Sequence, residues 1–210
     1  HCKPPIKNSS SNPCLLLHHY YCKTFMNNCL FQILKLKQNY DIVLIRINRK
    51  QGKSMNVYQL PLGPLQTNCY IVSNDVKEAV IFDPGEEADI IFNVIEENKL
   101  KPLAILLTHA HFDHIGAVDE VRDEYNIPVY IHKYEADWLT DGQKNGSASF
   151  LRNQSIFARE ADHLIEKEGK MEFGQFTFSI FETPGHSPGS ISFYNKELRT
   201  VFSGDALFQR

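Results

Sequence analysis

The chain has 210 residues, 42% of them apolar and 22% charged, with a formal net charge of −3, enough for one domain with a sizeable core, with or without an extension. The charge is uneven: residues 1–54 hold seven Lys, two Arg and one Asp, a balance of +8, which leaves −11 for residues 55–210. So acidic a stretch is ill suited to tracking a phosphate backbone, which argues against a nucleic-acid partner, and no apolar run approaches the roughly 20 residues that span a bilayer.

Four of the five cysteines, Cys2, Cys14, Cys22 and Cys29, fall in the basic segment, at spacings that match no paired zinc pattern. Leu15-Leu16-Leu17 is too short for a signal-peptide core, and His18-His19 follows it in place of small residues. The acidic part is therefore expected in the cytoplasm. Residues 1–54 mix polar Asn/Ser stretches with apolar residues of no sustained period, and offer one convincing strand, over 42–47. Met55 opens clear patterning, so two units are expected: a basic extension over 1–54 that is not part of the native domain, and a domain over 55–210 that starts at Met55. The competing expectation for 1–54 is a basic arm that docks on an acidic partner.

From Val57-Tyr58-Gln59-Leu60 onward, β and α signals alternate. Residues 68–73 and 79–82 read as short apolar strands around the turn Asn74-Asp75, and Asp83-Pro84-Gly85 ends the second. Ile90, Ile91, Val94 and Ile95 mark one face of a helix. Residues 103–107, bounded by Pro102, suit a buried strand. Val118, Val121 and Tyr125 mark a second helix, and 128–131 the next strand. Alternation over 176–180 gives a half-buried strand, followed by strands at 190–194 and 200–203. No internal repeat is visible. The pattern is that of a mixed α/β fold whose sheet faces are covered by helices.

The chemistry is concentrated in Thr108-His109-Ala110-His111-Phe112-Asp113-His114. On a helix, His109 and His111 would point nearly opposite ways; on extended backbone, positions 109, 111 and 113 share a side, and the chain then turns at about Asp113 so that His114 joins them. The segment is thus a loop leaving the strand 103–107 and entering a helix, where open α/β sheets place their sites. Imidazole and carboxylate donors suit zinc, iron, manganese or cobalt better than calcium or magnesium. Four such donors crowd one ion, so a division between two centres is expected, with further ligands from His186 in Thr183-Pro184-Gly185-His186-Ser187-Pro188-Gly189 and from Asp205 in Ser203-Gly204-Asp205, each just past a strand.

The order T-H-A-H-F-D-H, T-P-G-H-S-P-G-S and F-S-G-D-A-L-F resembles the metallo-β-lactamase superfamily, and within it the glyoxalase II-like (hydroxyacylglutathione hydrolase-like) enzymes of short bacterial type. The resemblance covers Met55 to Arg210. It implies an αββα sandwich (α/β, or α+β) with a two-metal site along one edge of its paired sheets. It assigns His109, His111 and His186 to a first divalent metal, Asp113 and His114 to a second, and Asp205 to a bridge between them; Asp83 braces the His loop from behind. Zinc is the first choice of metal, with iron or manganese as alternatives. The family's second metal takes one further His from a Gly-His segment downstream of Asp205. None follows in this chain, so the domain is expected to be incomplete at its carboxyl end and to bind fewer than two metals. His132 and His163 are expected to be structural and solvated, respectively.

The implied activity is hydrolysis of a small acyl-thiol, such as an acylglutathione-like thioester, by a metal-bridging hydroxide, with Asp113 orienting the nucleophile. Rival activities with the same ligands are those of a lactonase, a β-lactamase or a persulfide dioxygenase; a non-catalytic metal-binding protein is the rival of another class. A serine nucleophile is not indicated, since neither Ser190 nor Ser147 lies in a G-x-S-x-G turn. The sequence is silent on oligomeric state.

Overall fold

A computed structural model describes residues 54–152 and 154–207 in full, and before them the strands at 25–26, 29–38 and 40–49 with the side chain of Leu44. His1, His18, His19, Cys2, Cys14 and Cys22 lie outside the described residues, as does the side chain of Cys29.

Two sheets face each other. The larger has nine strands in sequence order: β1 (Phe25–Met26), β2 (Cys29–Gln38), β3 (Tyr40–Arg49), β4 (Ser54–Leu62), β5 (Thr67–Asn74), β6 (Glu78–Phe82), β7 (Lys101–Leu106), β8 (Val129–His132) and β9 (His163–Ile165). Pairing is antiparallel from β1 to β6 and parallel from β6 to β9. The smaller sheet is antiparallel: β10 (Gly169–Phe173), β11 (Phe176–Glu182), β12 (Ile191–Asn195) and β13 (Thr200–Phe202).

The parallel strands require crossovers, and helices supply two of them. α1 (Ala88–Asn98) joins β6 to β7, and α3 (Val118–Tyr125) lies between β7 and β8. In α1 the buried residues Ile90, Ile91, Val94 and Ile95 form the expected face, and Lys99 ends the helix in the left-handed region at φ 53°. These helices pack on one side of the large sheet, over Ile71, Ile81, Ile105 and Ile131. On the other side Val57, Val72, Val80, Phe82 and Leu106 meet Phe176, Phe178, Ile180, Phe193 and Phe202 of the smaller sheet. Burial on both faces explains why 80–82 and 104–106 are continuous apolar runs.

Three layers therefore stand in the order helices, sheet, sheet. The outer face of the small sheet carries exposed Thr177, Phe181 and Val201, and no helix covers it among the described residues. Among them, too, no helix is long and apolar enough to cross a membrane.

The structure differs from the sequence expectation in places. The strand expected at 42–47 is β3, but β2 beside it was unforeseen, and both continue the large sheet beyond β4. Pro102 lies inside β7 rather than before it, and the register shifts at its partner Ala79, as fits a residue without an N–H to donate. The turn in the His loop comes one residue early: His111 is still extended, and α2 (Phe112–Ile115) begins at Phe112, so Asp113 sits on a helical turn. His163 lies in β9 rather than a loop; it is exposed, with its ring stacked on Tyr130.

Candidate metal centre

The site gathers residues that follow strand ends. Asp83 follows β6, His109 and its neighbours follow β7, and Glu135 follows β8. Because β6, β7 and β8 are parallel, these three ends share one edge. From the other sheet, His186 comes after β11 and Asp205 after β13. The approach of Asp205 depends on Gly204, whose φ is +48° and where a Cβ would stand 2.1 Å from Thr108 Oγ1; only glycine fits there.

The residues singled out from sequence converge in two groups, each with one donor atom per residue within 4.8 Å of the others: His109, His111 and His186; and His109, His114 and Asp205. His111 Nδ1 lies 2.8 Å from His186 Nε2. Asp205 reaches both groups, with Oδ1 3.4 Å from His114 Nε2 and Oδ2 3.5 Å from His186 Nε2. Asp113 stands just outside the second group. Its Oδ2 is 3.6 Å from His114 Nε2 and accepts a hydrogen bond of 2.6 Å from Thr67 Oγ1.

Asp83 stands behind the loop. Its Oδ1 accepts from Thr108 N–H at 2.8 Å, its Oδ2 from Thr108 Oγ1 at 2.7 Å, and Oδ2 is 3.2 Å from His114 Nδ1. This fixes the tautomer of His109. The Thr108 hydroxyl proton is committed to Asp83, so at 3.1 Å from His109 Nδ1 the same oxygen accepts from Nδ1–H. His109 Nε2 is then a bare acceptor, and it is buried with no hydrogen-bond partner. A buried lone pair without a donor is costly. A divalent cation answers it, so the donor set fits a metal.

The electrostatics agree. Burial holds the His109 pKa far below the usual imidazole value, helped by the neighbouring His114, His111 and His186. Burial and then His186 lower that of His111. Both shifts favour the neutral ring, the form that ligates. Burial opposes a charge on His114, but Asp205 and Asp83 outweigh it and push the ring up to about 10. For Asp205 burial acts upward, and His114 with the other imidazoles overcomes it and holds the carboxyl below its usual range. Both nitrogens of His114 nonetheless lack an aligned hydrogen bond, the geometry of a ring set between carboxylates for which a cation can substitute for the proton.

The matching profile is that of the metallo-beta-lactamase superfamily, over residues 62–210. The chain belongs to the metallo-beta-lactamase superfamily. Among curated proteins, the chain is 52% identical over 151 residues to "Probable metallo-hydrolase YqgX" of Bacillus subtilis (strain 168), covering 72% of this chain and 71% of that one. It is 34% identical over 157 residues to "Hydroxyacylglutathione hydrolase GloC" of Haemophilus influenzae, covering 74% and 73%. Among solved structures, that of the BLEG-1 B3 metallo-beta-lactamase is similar at 56% identity and a TM-score of 0.69, covering 72% of each chain. A superfamily fold of mixed α/β type with metallo-hydrolase relatives makes this chain a metallo-hydrolase by kinship.

Sequence reasoning missed three residues around the site. Thr67 holds Asp113; Trp138 lies with its ring 5.7 Å from that of His111; and Glu135, wholly buried, binds the loops of both His111 and His186. A signal for Glu135 existed, in an acidic residue just beyond the strand that neighbours β7. His132 is buried, 3.5 Å from Glu182, and joins neither group.

Proposed function

We propose that this chain hydrolyses thioesters of the acylglutathione class, with His109, His111 and His186 holding one divalent ion, Asp113 and His114 offering ligands to a second that is held less tightly, and Asp205 between them. The observation that carries the reading is the unpartnered His109 Nε2 at the centre of the histidine cluster. Zinc suits the nitrogen-rich first group, and iron and manganese are compatible with the oxygen-richer second.

Ions so held would acidify a bound water and polarise an acyl oxygen. The chain's own residues do the rest. His109 is locked in one tautomer by Thr108, so its donor atom faces inward. Asp113, fixed by Thr67, orients the attacking water and accepts its proton. The water oxygen bonds to the acyl carbon, the carbon–sulfur bond breaks, and the proton that Asp113 took from the water passes to the sulfur, which leaves as a thiol. Trp138, beside His111, offers an apolar flank for the acyl group.

The 34% identity to a hydroxyacylglutathione hydrolase supports the thioester reading. The similarity to a B3 metallo-beta-lactamase supports a second, β-lactam hydrolysis. A panel of thioesters, lactones and β-lactams separates them. Thioester turnover should dominate, and His111→Ala and Asp205→Asn should each lower it by roughly 10²-fold or more, several kcal/mol of transition-state stabilisation. Faster turnover of β-lactams than of thioesters would reverse the order of the two readings, and unchanged activity in both variants would end them both.

A further inference from the structure

Glu135 is a buried carboxylate that the reaction does not use, and it lies where the two histidine-bearing loops meet. It sits in the first turn of a 3-10 helix (Lys133–Trp138) and has no solvent exposure. Oε2 accepts from the backbone N–H of Ala110 at 2.7 Å. Oε1 accepts from the N–H of Gly189 at 2.6 Å and from the Ser187 hydroxyl at 2.5 Å. Ala110 stands between His109 and His111; Ser187 follows His186. One side chain thus ties together segments 25 residues before it and 52 to 54 residues after it.

The site is built for this contact. A Cβ at position 189 would stand 2.8 Å from Glu135 Cγ, so glycine there admits the carboxylate. Ser190 Oγ, 2.7 Å from Ser187 Oγ, steadies the hydroxyl. The same short helix also brings Trp138 against the His111 ring. All three contacts on Glu135 come from donors, which a carboxylate can accept and an amide cannot satisfy at both ends, since its NH2 group would face an N–H.

We propose that Glu135 is the positioning residue that sets the spacing of His109, His111 and His186, and thereby the affinity of that group for its ion. The inference rests on the reading of those histidines as ligands. Groups that orient ligands from behind typically change metal affinity by about 10–100-fold when replaced.

The test is a zinc titration of the metal-free protein against a competing chelator, with the visible absorption of the cobalt(II) form and the melting temperature of the metal-free form, for the parent, E135Q, S187A and His111→Ala. E135Q should bind the first zinc about 10–100-fold more weakly and shift the cobalt bands. S187A, which keeps both backbone bonds, should move both readouts the same way by less, and it carries the test if E135Q does not fold. A residue that merely holds the fold would lower the melting temperature and leave zinc affinity and cobalt bands unmoved in the folded protein. That result, with His111→Ala weakening binding as it should, overturns the role of Glu135 alone. No effect of His111→Ala overturns the ligand reading beneath it.

Discussion

The Thr108 hydroxyl serves two neighbours with one proton: it donates to Asp83 and accepts from His109. Removing it leaves His109 free to carry its proton on either nitrogen and leaves Asp83 with one donor fewer. Thr108→Val keeps the shape of the side chain, so its effect isolates this hydrogen bonding. We expect metal affinity to fall by about 10-fold or more with little change in fold content, as measured by chelator competition and circular dichroism. The ligand candidates themselves were legible in sequence because chemistry forces His and Asp into a few positions beside strand ends. Thr67 was not, because a lone Thr at a strand start carries no pattern, and Glu135 showed only as an acidic residue beyond a strand end; their roles arise only when distant loops meet.

At the scale of elements, the aromatic layer between the sheets holds the two halves of the site together. Phe82 stacks on Phe202 with centroids 4.4 Å apart and meets Phe178 and Phe193 edge to face. Phe82 immediately precedes Asp83, and β13, which carries Phe202, ends three residues before Asp205. Phe178→Ala, in the middle of β11, should cost roughly 3–5 kcal/mol, read as a lower denaturant midpoint at unchanged m-value. The buried strands were readable because burial on both faces makes them continuous apolar runs, and α1 because four apolar residues share one helical face. β9 and β10 were not: five of their eight residues are exposed, and only Leu164, Ile165, Met171 and Phe173 are apolar. β2 escaped because it belongs to a segment whose apolar residues keep no sustained period.

For the molecule as a whole, every residue of the candidate site and its supports lies between Thr67 and Asp205. β1, β2 and β3 extend the large sheet on the side opposite β9, away from the parallel strands that carry the His loop. We propose that residues 55–210 carry the metal centre and that residues 1–54, with their opposite charge, contribute nothing to catalysis. The central claim is that the histidine cluster binds a divalent metal, and its most direct test is elemental analysis of the purified protein and of His109→Ala. The account predicts at least one equivalent of zinc, iron or manganese per chain, retained through dialysis and lost in the variant. Protein that refolds and stays metal-free in the presence of all three ions, or His109→Ala holding as much metal as the parent, would contradict it.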